Sequence, residues 1–218
     1  MENKLHYNTV TPLLKKILLE LMTAEIFNSF RLVGGTSLSL QLGHRFSVDI
    51  DLFTDAEYGS IDFDEIDNYL RKKYLYVDTN NYDVVGFGKS YYVGNDSVDC
   101  VKLDLFYVDS FSRDILLVDE IRLATIEEII SMKMDVISRG GRKKDFWDIH
   151  ALLDTYSFKQ MLSLHQEKHE YTHNRAELIA KFTDFSECDN DFDPVCLLDK
   201  KWGLIKLDLL DFSASVKH

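Results

Sequence analysis

The chain has 218 residues, of which 45% are hydrophobic, and it carries a formal net charge of −12. Such a chain can bury a substantial core, either as one domain or as a larger domain joined to a small helical one. With only two prolines and no low-complexity tract it is predicted to fold throughout, and no apolar stretch approaches the roughly 18 residues of a membrane span.

Hydrophobic periodicity predicts an amphipathic helix from about Thr11 to Phe27, a helix from Ser37 to Leu42 and an intervening segment that leads into a glycine turn. A strand near residue 49 and a helix over 62–73 follow. Further strands are predicted over 74–80, 83–94, 97–107 and 115–122, with helices after them. This order favours an α+β fold, a mixed β-sheet covered by helices, with a helical C-terminal part.

A glycine pair precedes the first acidic strand, separated from it by a short segment, in Gly34-Gly35-Thr36-Ser37. Glycines let backbone N–H groups approach a ligand closely, and the two hydroxyls add donors at the start of a helix whose dipole favours anions. The segment therefore predicts a turn that binds phosphate.

Polarity alternates strictly in Val48-Asp49-Ile50-Asp51-Leu52. In a strand this pattern places both carboxylates on one face and the three aliphatic side chains on the other. Carboxylates about 7 Å apart on one strand face can share a divalent ion. A strand with a merely acidic exposed face is the alternative, but the ordered combination with the glycine turn is uncommon.

Gly34-Gly35, thirteen further residues and then Asp49-Ile50-Asp51 resemble the signature of the polymerase-beta-like nucleotidyltransferase superfamily. The resemblance implies a third carboxylate on a later strand. Asp104 is the preferred candidate because aliphatic residues flank it, and Asp99 is the alternative. In a regular strand the two would face opposite sides, and a shift of one residue in register would exchange them.

Thr125 and Glu128 look like a capping box that opens a helix running to Gly140-Gly141. Its apolar face is predicted from residues at helical spacing: Ile126, Ile129, Ile130, Met134 and Ile137. Lys133 falls within that face, where it can either extend to the rim or meet a triphosphate.

A second helix follows, with Asp145 and Asp148 one turn apart near its start, a placement that the helix dipole ordinarily explains. Lys133 through Arg139, with Lys144-Asp145 to Asp148, is nevertheless similar to the second motif block of the AbiEii/AbiGii toxin family of nucleotidyltransferases. That family's opening block also reads Gly-Gly-Thr, then Arg, Ser and Asp-Ile-Asp-Leu-Phe. The resemblance covers about residues 30 to 155.

This resemblance implies a nucleotidyltransferase core over 1–122 and a helical region over 123–218 that completes the active site. It implies dependence on Mg²⁺, or Mn²⁺, transfer of a nucleotide from an NTP, and a toxin of a toxin–antitoxin or abortive-infection system with a cognate antitoxin. Some relatives modify the acceptor end of tRNA. The catalytic residues that it implies are Asp49, Asp51, Asp104, Lys133 and Asp145, with the first three as metal ligands. The implied nucleotide-binding residues are Gly34, Gly35, Thr36, Ser37, Arg45, Ser47 and Lys133.

Three alternatives remain at this point: a small-molecule nucleotidyltransferase of the antibiotic-modifying kind, a non-catalytic nucleotide-binding member, and a glycosyltransferase with a metal-binding Asp-x-Asp strand. The negative net charge disfavours binding of an RNA acceptor, which is a polyanion, unless basic residues cluster locally. The segments 139–144 and 71–73 are such gatherings, either for binding or as solvated helix ends.

The cysteines, one acidic stretch and three histidines have simpler explanations. Cys100, Cys188 and Cys196 suggest neither a disulfide framework nor a zinc site, so we expect a reducing cytoplasm. The acidic stretch 184–194 is predicted to be a solvated loop. Three histidines at 165, 169 and 173 could bind a transition metal only if one continuous helix carried them and a fourth ligand existed.

Overall fold

The computed structural model describes residues 4–79 and 86–214, and in it the chain divides into two units. The first unit comprises Met1–Gln41 and Ser47–Ala124, and the second comprises Leu42–Phe46 and Thr125–His218. The strands are β1 (Arg31–Leu32), β2 (Asp49–Thr54), β3 (Tyr76–Thr79), β4 (Gly88–Gly94), β5 (Cys100–Tyr107), β6 (Leu116–Val118) and β7 (Ile121–Leu123). The helices before and between them are α1 (Pro12–Thr23), α2 (Gly34–Leu42) and α3 (Phe63–Lys73).

Among the described residues, seven strands form one sheet in the order β3-β4-β5-β2-β1-β7-β6. The pairs β2–β5 and β1–β7 are parallel, and the other neighbouring pairs are antiparallel. Parallel pairing of β2 with β5 is possible because α3 and the β3–β4 pair lie between them in the chain, which gives the long connection that parallel strands need. The predicted α+β fold with a mixed sheet is confirmed.

One face of the sheet packs into the hydrophobic core of the first unit. Ile50 and Leu52 in β2, and Leu103 and Leu105 in β5, are fully buried on this face. The buried stripe of α1, which includes Leu14, packs against β2, β5 and β7. Alternation along β2 therefore leaves its two aspartates on the opposite, half-buried face.

Several expected boundaries differ from the observed ones. Val48 precedes β2 and is 56% exposed, so it does not share the apolar face. The single strand predicted over 115–122 is wrong: β6 and β7 form a hairpin, because Asp119 and Glu120 adopt φ of 50° and 63° in a two-residue turn. The N-terminal helix ends at Thr23, and a separate 3₁₀ turn, Glu25–Phe27, follows it. Residues 80 and 83–85 of two predicted strands lie outside the described residues.

The second unit is helical and consists of α4 (Ile126–Ser138), α5 (Lys143–His150), α6 (Phe158–Lys168), α7 (Arg175–Phe182) and α8 (Trp202–Ala214). Helix α4 packs against α5, α6 and α7, and α8 packs against α5 and α7. Thr125 caps α4 as predicted, since its Oγ1 accepts the N–H of Glu128 at 3.3 Å. Within the described part of the chain, no helix has both the length and the apolar character to cross a bilayer.

Candidate active site

Three carboxylates lie together on the half-buried face of the sheet in the first unit. In the parallel β2–β5 pair, Asp51 stands beside Asp104 and Asp49 stands beside Lys102. Side chains paired in this way point to the same face, so Asp49, Asp51 and Asp104 share it. The alternative third carboxylate, Asp99, lies in the exposed loop before β5, where it accepts a hydrogen bond from Asn95.

Lys102 belongs to the same face as the three carboxylates. Its Nζ donates to Asp104 Oδ2. Burial alone would lower the pKa of Lys102, but the hydrogen bond to Asp104 and the negative charges of Asp104, Asp49 and Asp51 raise it. The ammonium thus lies in a concentrated negative field.

The carboxylate set fits a divalent cation. Asp104 Oδ1 is buried and has no hydrogen-bond partner within the described residues, and such an oxygen carries a desolvation cost that a bound cation would remove. Oxygen ligands from carboxylates are those preferred by Mg²⁺ and Mn²⁺. Asp49, Asp51 and Asp104 are therefore the residues that could hold the metal.

The glycine turn lies against one of these carboxylates. Gly34 has a φ of +66°, and a Cβ built on it would stand 2.7 Å from Asp51 Oδ2. Glycine is therefore required both by the backbone conformation and by the close approach. Helix α2 begins here, so the backbone N–H groups of its first turn are donors for an anion near the carboxylate face.

The hydroxyls predicted to contact phosphate are engaged within the protein. Thr36 Oγ1 donates to the carbonyl of Asp49 and lies 2.8 Å from Ser47 Oγ, while Ser37 Oγ accepts from Gln41 Nε2 at 3.1 Å. Thr36 and Ser37 are both buried, and Ser47 is 6% exposed. These bonds tie the start of α2 to the start of β2 and so fix the glycine turn relative to that strand.

The remaining predicted site residues lie in the second unit. Lys133 Nζ is 2.6 Å from Asp145 Oδ1 and 2.7 Å from Asp148 Oδ2. Asp145 also accepts the backbone N–H of Arg142 at 2.9 Å, so it fixes the start of α5. The ammonium of Lys133 has three N–H donors, and these two carboxylates engage two of them.

Asp148 is the centre of this cluster, a role that the sequence reasoning missed. Its carboxylate accepts from Arg45 Nε at 2.6 Å, from Arg45 Nη2 at 2.9 Å and from His44 Nε2 at 2.8 Å, in addition to Lys133. We call Lys133, Asp145, Asp148, Arg45 and His44 the ion-pair cluster. The signal available in the sequence was an acidic residue between the apolar residues Trp147 and Ile149.

The charges of the cluster reinforce one another despite their burial. Burial would raise the pKa of Asp148, but the charges of Lys133 and Arg45 and the hydrogen bonds from His44 and Arg45 hold it well below its usual range. Lys133 likewise keeps the pKa of Asp145 low against the effect of burial. Burial would lower the pKa of Lys133, but the negative charges of Asp148 and Asp145 raise it.

Lys143, in the basic segment after Gly141, is not a solvated charge, whereas its neighbour Arg142 is exposed. Lys143 is 4% exposed, and its Nζ donates to the carbonyls of Asp189 and Asp191 and to Asp193 Oδ1, at 3.1, 2.6 and 2.9 Å. The description of 184–194 as a solvated connection is therefore wrong for this part of the loop. The acidic loop binds a buried ammonium, which leaves Lys143 without a role in binding RNA.

Comparison with known proteins identifies the family of the chain. A family model described as nucleotidyl transferase AbiEii toxin, type IV TA system, matches residues 16–215. An uncharacterized protein of Aquifex aeolicus (strain VF5) is 29% identical over 162 residues, which cover 71% of this chain and 73% of that protein.

Two solved structures share the fold. JHP933 from Helicobacter pylori has a TM-score of 0.56 at 18% identity, covering 92% of this chain and 89% of its own. MenT4, a nucleotidyltransferase toxin from Mycobacterium tuberculosis H37Rv, has a TM-score of 0.57 at 13% identity, covering 91% of this chain and 80% of its own. With the family model matching nearly the whole sequence, the chain belongs to the AbiEii family of nucleotidyltransferase toxins.

Proposed function

We propose that this protein transfers a nucleotide from an NTP to a hydroxyl of an RNA acceptor of the tRNA class, using Mg²⁺ or Mn²⁺ held by Asp49, Asp51 and Asp104. The observation that carries the proposal is the register that sets Asp51 beside Asp104, with Asp49 on the same face. Free cysteines at 100, 188 and 196 suit a reducing cytoplasm as the place of action.

Each residue has a defined task in this proposal. Asp49, Asp51 and Asp104 would hold the metal ion, which would supply neutralisation of phosphate charge and activation of the attacking hydroxyl, with pyrophosphate as the leaving group. Gly34 allows the α2 N-terminus to present backbone N–H groups to the triphosphate, and Thr36 and Ser47 fix that turn. Lys133 is proposed to contact the triphosphate, and Asp145 is proposed to hold Lys133 in position.

The test is incubation of the purified protein with each alpha-labelled NTP, Mg²⁺ and total RNA. Asp49→Asn is the test variant, and Asp78→Asn, which alters an exposed acid on β3 of the same sheet, is its matched control. We expect label in a tRNA-sized band with the unaltered protein and with Asp78→Asn, and none with Asp49→Asn. Nucleotide transfer retained by a folded Asp49→Asn protein would refute the assignment of the site.

The toxin role is tested in cells. Expression should arrest growth of a bacterial host, Asp49→Asn should relieve the arrest, and a protein encoded beside the toxin should counteract it. Arrest that persists with Asp49→Asn would separate toxicity from nucleotide transfer.

A small-molecule acceptor is the second candidate, and the charge distribution favours it. The net charge is −12, and Lys143, one of the few clustered basic residues, is held by an acidic loop. A cationic acceptor such as an aminoglycoside would suit an acidic protein better than a polyanion does. Offering aminoglycosides in parallel with RNA decides between them, and nucleotide binding without transfer to either acceptor would indicate a non-catalytic member.

A further inference from the structure

A cluster of imidazoles and one carboxylate lies in the second unit. Asp135 is on α4, His165 is on α6, and His169 follows the last residue of α6. One ligand atom from each lies within 4.8 Å of the other two. Asp135 Oδ1 is 3.8 Å from His165 Nε2 and 3.9 Å from His169 Nδ1. These distances exceed hydrogen-bond length, so direct hydrogen bonds do not account for the grouping.

His165 has an unsatisfied nitrogen that faces this group. The side chain is 2% exposed, and its Nε2 is buried without a hydrogen-bond partner among the described residues. Its other nitrogen, Nδ1, lies 2.7 Å from His173 Nδ1. When His165 donates its Nδ1 proton to His173, the lone pair of His165 is on Nε2, on the side of Asp135.

We propose that Asp135, His165 and His169 bind a transition-metal ion of the zinc class, with His173 holding the His165 ring in the orientation and tautomer that ligation needs. Two imidazoles and a carboxylate are a donor set that suits zinc and disfavours magnesium. Zinc bonds of about 2.0–2.1 Å in a tetrahedron place ligand atoms roughly 3.4 Å apart, so small side-chain rotations would close the observed separations.

The surroundings complete the site. All three ligands line an open cleft of about 460 Å³, from which water can supply a fourth ligand. Arg139 binds the other oxygen of Asp135, Oδ2, and so orients the carboxylate with Oδ1 toward the imidazoles.

The continuous helix that the sequence reasoning required is not necessary for this site. Helix α6 ends at Lys168, and His173 lies beyond it in a turn, yet the ring centroids of His169 and His173 are 4.8 and 5.0 Å from that of His165. A metal at this point would join α4 to the end of α6 and stabilise the packing of the helix that carries Lys133.

The test uses the full-length protein, stripped with a chelator, dialysed and titrated with Zn²⁺ alone or Co²⁺ alone. We expect one equivalent to bind, a tetrahedral Co²⁺ absorption spectrum, and a melting temperature raised by Zn²⁺. His169→Ala should abolish binding, and His6→Ala, at an exposed histidine, should not alter it. Asp49→Asn should bind Zn²⁺ normally, and excess Mg²⁺ should not displace the Zn²⁺.

His173→Ala is the second variant and tests the positioning role without removing a ligand. We expect it to fold and to bind Zn²⁺ about 10–100-fold more weakly, as is usual for a residue that orients a metal ligand. Absence of Zn²⁺ and Co²⁺ binding by the folded protein would overturn the proposal. Equal binding by His169→Ala and the unaltered protein would also overturn it.

Discussion

Replacing Gly34 should have two effects, strain in the backbone and damage to the proposed metal site. In Gly34→Ala the new Cβ would stand 2.7 Å from Asp51 Oδ2 and force that carboxylate to move. We expect a loss of about 1–3 kcal/mol in stability from the positive φ, together with loss of Mn²⁺ binding and of nucleotide transfer. Thermal unfolding and Mn²⁺ titration measure the two effects.

Gly59→Ala is the matched control for that prediction. Gly59 also has a positive φ, of +83°, but a Cβ there would meet no atom within 4 Å. It should show comparable strain with normal Mn²⁺ binding. Equal Mn²⁺ binding by both variants would mean that the contact of Gly34 with Asp51 does not matter to the metal site.

Lys102 gives a second prediction at the residue scale. Its ammonium binds Asp104 and lies in the field of Asp49 and Asp51, so it competes with a metal ion for the same negative charge. Lys102→Met should tighten Mn²⁺ binding in the absence of nucleotide by about tenfold. Isothermal titration measures the change, and Lys72→Met, at an exposed lysine of α3, is the control. Unchanged Mn²⁺ affinity would show that Lys102 does not compete with a metal ion for these carboxylates.

At the scale of elements, the ion-pair cluster connects α4 and α5 with the segment that contains His44 and Arg45. Asp148 is fully buried and accepts hydrogen bonds or ion-pair contacts from Lys133, Arg45 and the His44 ring. Asp148→Asn would leave Lys133 and Arg45 with a neutral partner, so we expect a loss of about 3–5 kcal/mol in the free energy of unfolding. Chemical denaturation measures this loss.

Asp67→Asn is the comparison for Asp148→Asn. Asp67 pairs with Arg71 one turn later on α3, and the Arg71 side chain is 48% exposed. Because solvent screens such a pair, the expected loss is at most about 1 kcal/mol. Equal losses in the two variants would show that burial does not increase the contribution of the ion-pair cluster to stability.

The cluster also predicts an acid-sensitive stability. The folded-state pKa values of Asp145 and Asp148 lie below the ordinary 3.8, so their contribution to stability is present above that pH and is lost as pH falls through the folded-state values. We expect the free energy of unfolding to fall steeply below about pH 4. Asp148→Asn should show a shallower fall over the same range, and identical slopes would contradict the cluster's role.

At the scale of the whole molecule, the negative net charge raises the question of whether the acceptor is RNA or a small molecule. The salt dependence of the transfer rate answers it. Binding of a polynucleotide releases counterions, so a fourfold rise in salt should lower transfer to RNA by about tenfold or more if roughly three phosphate contacts form. Transfer to a small acceptor should change far less. Initial rates at low and high KCl decide this, and RNA transfer that is insensitive to salt would argue against phosphate contacts.

The sequence by itself determined the family, the mixed sheet and the two-carboxylate strand. Alternation in β2 is a local property, and a strand with Ile50 and Leu52 buried must turn Asp49 and Asp51 to its other face. Likewise, the apolar spacing and the Thr125 cap of α4 are local signals that survive in the structure.

Only the tertiary structure decided which distant residues meet. The parallel register of β2 and β5 selects Asp104 rather than Asp99 as the neighbour of Asp51, and register is a non-local property. Two partners of Asp148, His44 and Arg45, come from about a hundred residues earlier in the chain, so a helix-dipole explanation was all that local reasoning could offer. The hairpin at Asp119-Glu120 was hidden because the turn lacks the glycine that usually marks it. His165 and His169 keep helical spacing at the end of α6, and a turn after that helix brings His173 to them.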